Sequence, residues 1–232
     1  MAVDGRRQFV QFTFYKVDPA WRRLPERERQ EGKEEFMAVV NEYSSRILVR
    51  PYSLFGIRGD VDFMLWKASY SLEDFQNMAT ALARTGLGKW VTVPYCYLSM
   101  TKRSVYVMHH RHEDQDGVRL RVKPGGAKYL FVYPFVKTRA WYSLPFEQRQ
   151  RMMDEHIEIG HKYPTVKLNT TYSFGLDDQE FVLAFESDRP EDFVDLVMEL
   201  RESQASSYTL RDTPIFTCIS MDIRSVLEGL GG

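Results

Sequence analysis

The sequence predicts an α+β fold built from two copies of one β-α-β-β-α-β unit, and three observations carry that expectation. The first is an internal repeat: Trp21, Leu24-Pro25 and Arg29-Gln30 recur 120 residues later as Trp141, Leu144-Pro145 and Arg149-Gln150. The second is that further matches stay collinear. Tyr52-Ser53-Leu54-Phe55-Gly56 is echoed by Tyr172-Ser173-Phe174-Gly175, Glu73-Asp74-Phe75 by Glu191-Asp192-Phe193, and Pro94-Tyr95-Cys96 by Ile215-Phe216-Thr217-Cys218. The third is that both halves show the same succession of strand-like and helix-like patterns, with turn residues at matching places.

Taken in order, an apolar run opens each half, Phe9–Tyr15 and Tyr129–Phe135, and reads as a strand. A Leu-Pro pair then starts a charged, amphipathic stretch, Glu26–Tyr43 and Phe146–Tyr163, which reads as a helix. Two strands follow, Ile47–Phe55 with Asp62–Ser69 and Val166–Phe174 with Glu180–Glu186, each pair split by a Gly/Asp turn. The second helix opens at Ser71, whose hydroxyl suits an N-cap, and at Asp188-Arg189-Pro190, where the fixed φ of proline suits a first turn. A last strand closes each half. This order is the ferredoxin-like unit. The expected subunit is therefore two fused ferredoxin-like repeats of the dimeric α+β barrel type, residues 1–100 and 128–232, joined by a polar linker at 101–127.

Composition narrows the function. With 44% hydrophobic and 14% aromatic residues, the 232-residue chain has enough apolar material for two packed units. Its 31 basic and 32 acidic residues leave a net charge of -1, which offers no field for a nucleic-acid backbone or an anionic membrane. Apolar runs such as Tyr129–Phe135 are too short to span a bilayer, and residues 1–12 lack the apolar core of a signal peptide. The expectation is a cytoplasmic protein with no membrane or nucleic-acid partner. Cys96 and Cys218, each in a β-like segment near the end of a half, are expected to be buried thiols rather than a disulfide.

Duplicated units share what the fold requires, so a reactive residue present in one copy alone points to function. Glu34-Glu35-Phe36 aligns with Asp154-Glu155-His156, and Thr13 aligns with Tyr133. A position that holds Phe in one copy is expected to be buried, and a buried neutral imidazole needs a hydrogen-bond acceptor or a metal. No His, Cys or carboxylate stands at zinc-like spacing from His156; Glu155 points elsewhere on a helix, and His161 is off the i, i+4 spacing. A single protein ligand suits an iron already held by a porphyrin.

Over nearly the whole chain, most strongly from Tyr129 to Cys218, the sequence resembles the chlorite dismutase-like haem proteins. Tyr133-Pro134-Phe135-Val136-Lys137, Trp141-Tyr142-Ser143-Leu144-Pro145, Met152-Met153-Asp154-Glu155-His156 and Leu200-Arg201 look like segments of the coproheme decarboxylases within that family. The resemblance implies that His156 is the proximal iron ligand and that subunits assemble as homo-oligomeric rings, usually pentamers. It implies that hydrogen peroxide oxidises ferric coproheme, and that Tyr133 passes through a radical and strips hydrogen from a propionate, which becomes a vinyl group. Repeated once, the step yields haem b. A distal histidine that deprotonates peroxide falls at His110, with His109 and His112 as competitors. Lys137 and Trp141 match positions that contact propionates, although Trp21 at the equivalent place argues for packing. Arg201 and Ser206 match polar pocket positions, with Arg84 near the Arg201 place in the first half.

Three positions separate this chain from chlorite chemistry. Leu168 stands where chlorite dismutases carry a distal arginine, Ala205 where they carry a glutamate bonded to the proximal imidazole, and they lack a tyrosine at the Tyr133 place. The expected activity is peroxide-dependent decarboxylation of coproheme, the substrate acting as its own redox centre. The alternatives are a non-catalytic haem-binding or haem-transfer protein, a chlorite dismutase or peroxidase-like enzyme of the family, and a structural or regulatory protein that binds no porphyrin.

Overall fold

A computed structural model describes residues 5–106 and 120–231. Along the chain run β1 (Phe9–Val17), α1 (Glu26–Ser44), β2 (Leu48–Ser53), β3 (Phe63–Ser69), α2 (Leu72–Ala83), β4 (Val91–Met100), β5 (Tyr129–Lys137), α3 (Arg139–Ser143), α4 (Phe146–His161), β6 (Lys167–Tyr172), β7 (Phe181–Ser187), α5 (Pro190–Glu202), β8 (Thr209–Arg211), β9 (Phe216–Ser220) and α6 (Ile223–Glu228). The chain divides into two compact units, Met1–Leu98 with Thr217–Gly232, and Ser99–Phe216. No described helix is long and apolar enough to cross a membrane.

In the first unit the strands lie in the order β4-β1-β3-β2-β9. The first four follow the ferredoxin-like arrangement, with β3 antiparallel to both β1 and β2. Every residue of β3 is buried, because helices cover one face and the other is also closed from solvent. On the helix-covered face Phe63 stacks on Tyr15 at 4.7 Å and meets the edge of Phe36 at 5.8 Å. Val40 of α1, Met78 and Leu82 of α2, and Leu227 of α6 extend this core. The start of α2 is fixed by Ser71, whose hydroxyl accepts a hydrogen bond from the Glu73 amide.

Two expectations change here. By sequence repeat the final strand belongs to the second copy, but by packing Thr217–Gly232 belongs to the first unit. There β9 pairs with β2, Tyr52 opposite Ser220 and Ser53 opposite Ile219, which covers the C-terminal end of the β2 edge. Cys218 is buried but Cys96 is exposed, against the expectation for both thiols. The reason is local: a cavity, not packed side chains, lies between this part of β4 and α2.

In the second unit the order is β6-β7-β5-β8, which repeats the first with β5 in the place of β1. The repeat reaches into the hydrogen bonds. The Leu54 amide donates to the Asp62 carbonyl and the Ser173 amide to the Glu180 carbonyl, both at 2.8 Å. Gly56 and Gly175 close the matching turns at φ 78° and 73°, a left-handed backbone that explains glycine at both places. Asp62 accepts from the Val17 amide and Glu180 from the Lys137 amide, again at 2.8 Å each. As expected, α5 begins with Pro190 in its first turn.

Candidate functional site

The candidate site lies in the second unit and is built on β5 and α4. Strand alternation sets Phe131 and Tyr133 on one face of β5, in a core with Ile159 of α4 and with Phe193 and Leu196 of α5. Tyr133 stacks on Phe185 at 5.9 Å between ring centroids. His156 stands three residues before Ile159, hence on the same face of α4. Phe36, its counterpart in the first copy, is fully buried, whereas His156 is half-buried.

At both residues burial favours the uncharged form. Burial first, and then the nearby Lys137 ammonium, push the His156 imidazole down to about 4. The ring is neutral at physiological pH, and among the described residues neither nitrogen has a hydrogen-bond partner. Burial, reinforced by the Asp212 carboxylate, pushes the Tyr133 phenol well above its ordinary range, so it keeps its proton. Arg201 opposes that shift and pairs with Asp212 at the end of α5.

Lys137 lies beside His156 and Trp141. The β5–β8 register shifts between Val136 and Lys137, and such an irregularity re-aims the side chain that follows it. The ammonium donates to the Ala205 carbonyl oxygen at 2.6 Å and lies 4.5 Å from the Trp141 ring centre. Burial lowers it to about 8, with Glu180 pulling the other way. Glu180 also accepts a 2.6 Å hydrogen bond from the Tyr142 hydroxyl, and burial together with this bond raises the phenol.

Six of the expected residues lie in this one unit: His156 feels the charge of Lys137, Lys137 faces Trp141, Tyr133 feels the charge of Arg201, and Ser206 follows Ala205. Trp141 and Trp21 are both buried, so the shared packing role is real, but Lys137 has Val17 in the corresponding place. Ser206 is partly buried beside Ala205, its amide donating to the Ser203 carbonyl at 3.0 Å. Leu168 lies on β6 opposite Phe185 with 37% of its surface exposed. His109, His110 and His112 lie outside the described residues.

Sequence reasoning missed Glu180, Tyr142, Asp212 and the Ala205 carbonyl. The Asp62/Glu180 match was available from the repeat. Asp212 gave no signal, because only the fold carries β8 and its successor back toward α5.

The chain is 29% identical to the coproheme decarboxylase of Mycolicibacterium smegmatis over 99% of its own length and 96% of the relative's. It superposes on chlorite dismutase from Candidatus Nitrospira defluvii in complex with imidazole with a TM-score of 0.86 at 28% identity, covering 95% of this chain and 94% of that one. A haem-binding protein from Thermus thermophilus shares the fold, with a TM-score of 0.84 at 24% identity and 95% coverage of each chain. The family model for chlorite dismutase matches residues 29–221, most of the sequence, and the chain belongs to the chlorite dismutase family.

Proposed function

We propose that the protein is a coproheme decarboxylase, converting iron-coproporphyrin III to haem b with hydrogen peroxide. One observation carries the reading: a neutral imidazole without a partner among the described residues shares a unit with a buried phenol that keeps its proton. That donor set fits an iron porphyrin. His156 would hold the iron through a ring nitrogen, and its low proton affinity leaves the lone pair available at neutral pH. The curated relative of nearly equal length, itself a coproheme decarboxylase, supports the same choice within the family.

Bound coproheme supplies the redox chemistry, its iron taking oxidising equivalents from peroxide. Tyr133 gives up an electron and its proton, and the resulting tyrosyl radical takes a hydrogen atom from the propionate. Loss of carbon dioxide and of one further electron leaves a vinyl group. In balance, one propionate, one peroxide and one proton give one vinyl, one carbon dioxide and two waters. A rigid strand and stacking on Phe185 hold the phenol ring in place for this transfer. An ammonium has three donors, and the Lys137 bond to Ala205 leaves two for a propionate. Arg201, Ser206 and Trp141 are the other proposed propionate contacts, and His110 the proposed base for peroxide. A pentameric assembly and a cytoplasmic location belong to the same reading.

The test is a titration of the protein with ferric coproheme, followed by peroxide and mass spectrometry. Stepwise loss of two carboxyl groups to the mass of haem b is the expected result. Tight binding with coproheme left intact would move the function to haem binding or transfer.

A further inference from the structure

We infer that the first unit carries a second ligand site, separate from the one on β5 and α4, which takes a small carboxylate with an apolar body. The site is a cavity of about 390 Å³ between the sheet and α2, within the size range of small-molecule pockets. Phe75 and Leu82 from α2 and Val91 and Val93 from β4 give it apolar walls, and Thr13, Lys67 and Cys96 supply the polar side.

Lys67 carries the argument. It sits inside β3, opposite Gln11 on one side and Val49 on the other, and only 1% of its surface is exposed. Its ammonium lies 5.6 Å from the centre of the Phe75 ring, and among the described residues it has no hydrogen bond and no carboxylate partner. Cys96 and the Phe75 ring favour its charge, but burying an ammonium with no hydrogen bond and no carboxylate still costs several kcal/mol, which an anion in the cavity would offset. Burial lowers Lys67 to about 8, so at neutral pH it is still mostly charged.

The repeat shows that the fold does not demand this arrangement. In the second copy Phe185 occupies the place of Lys67 and Tyr133 the place of Thr13, and those two rings fill the space by stacking. In the first copy a hydroxyl and a cation replace two rings, which opens the space and charges it. A single cation with no second positive group beside it matches a monoanion, and the walls match a hydrocarbon or aromatic body.

Octanoate, with octan-1-ol as its neutral counterpart, tests the inference in the full chain. Octanoate should bind saturably at one site per chain by calorimetry, about tenfold or more tighter than octan-1-ol, the scale of one charge-assisted hydrogen bond. It should also slow alkylation of the exposed Cys96 by N-ethylmaleimide, while the buried Cys218 stays unreactive. Lys67→Met should erase the preference for octanoate over octan-1-ol and leave coproheme binding unchanged. Equal affinity for acid and alcohol, or octanoate binding that leaves Cys96 unprotected, would overturn the site. Both measurements need only the parent protein, so a Lys67→Met chain that misfolds does not rescue the idea, and coproheme turnover does not enter the outcome.

Discussion

Burial does opposite work at two residues of the proposed haem site. It strips His156 of its proton and locks one onto Tyr133, the states that the proposed metal ligand and the proposed hydrogen-atom donor require. His156→Ala should lose the axial bond, because among the described residues no neighbouring imidazole can replace it, and the Soret band of bound coproheme should change. An unaltered spectrum and affinity would remove His156 from the iron. Tyr133→Phe keeps the stacked ring and removes the hydroxyl, so folding and coproheme binding should survive with at most ~1 kcal/mol lost. Peroxide should then bleach the porphyrin without releasing carbon dioxide, and efficient haem b formation would end the radical mechanism. His110→Ala should slow peroxide-driven turnover by roughly 10²-fold with porphyrin affinity nearly unchanged, and a larger effect at His109 or His112 would move the base. His156 and Tyr133 stood out as candidates because a duplicated sequence supplies its own control in Phe36 and Thr13. For Lys137 the family resemblance gave the candidate role but not the bond to the Ala205 carbonyl, since the side chain's direction depends on a register shift that no local pattern announces.

At the scale of elements, the helices and strands fall close to where periodicity and turn residues put them, because two copies must satisfy one pattern. What periodicity could not convey was the content of a strand position. Lys67 in β3 reads as a polar break in an apolar run, whereas the fold encloses it on both sides. Its ordinary pKa of 10.5 falls to about 8 in the folded chain. Below about 8 both folded and unfolded chains hold the charge, and the folded chain bears the full cost of burying it. Between about 8 and 10.5 the folded chain sheds the proton while the unfolded chain keeps it, so this contribution to stability rises with pH and the cost is gone above that window. Lys67→Met should therefore stabilise the ligand-free protein at pH 7 by about 1–3 kcal/mol in urea unfolding, with the gain shrinking toward zero as pH approaches 10.5. A variant no more stable than the parent at pH 7 would show that the buried ammonium is already compensated.

At the scale of the whole chain, the repeat and the packing divide the sequence differently, and the difference rests on α6. Ile223, Val226, Leu227 and Leu230 all enter the core of the first unit, although about 120 residues of the second copy separate them from the rest of that core. No local pattern could show this destination, because a six-residue helix with one apolar face fits any open apolar surface. Burial of an aliphatic side chain is worth about 1.5–3 kcal/mol, so four of them contribute on the order of 6–12 kcal/mol, comparable to the whole stability of a domain. The Arg22 guanidinium adds a 3.1 Å hydrogen bond to the Leu230 carbonyl oxygen. Removing residues 221–232 should consequently unfold the first unit, seen as early proteolytic cuts within residues 5–98 and loss of near-ultraviolet dichroism. Leu227→Ala is the milder test; with 2% of its surface exposed, the truncation should cost about 2–5 kcal/mol in denaturant unfolding. A truncated chain that resisted protease like the parent, together with a Leu227→Ala loss under ~0.5 kcal/mol, would mean that α6 rests on the first unit without holding it together.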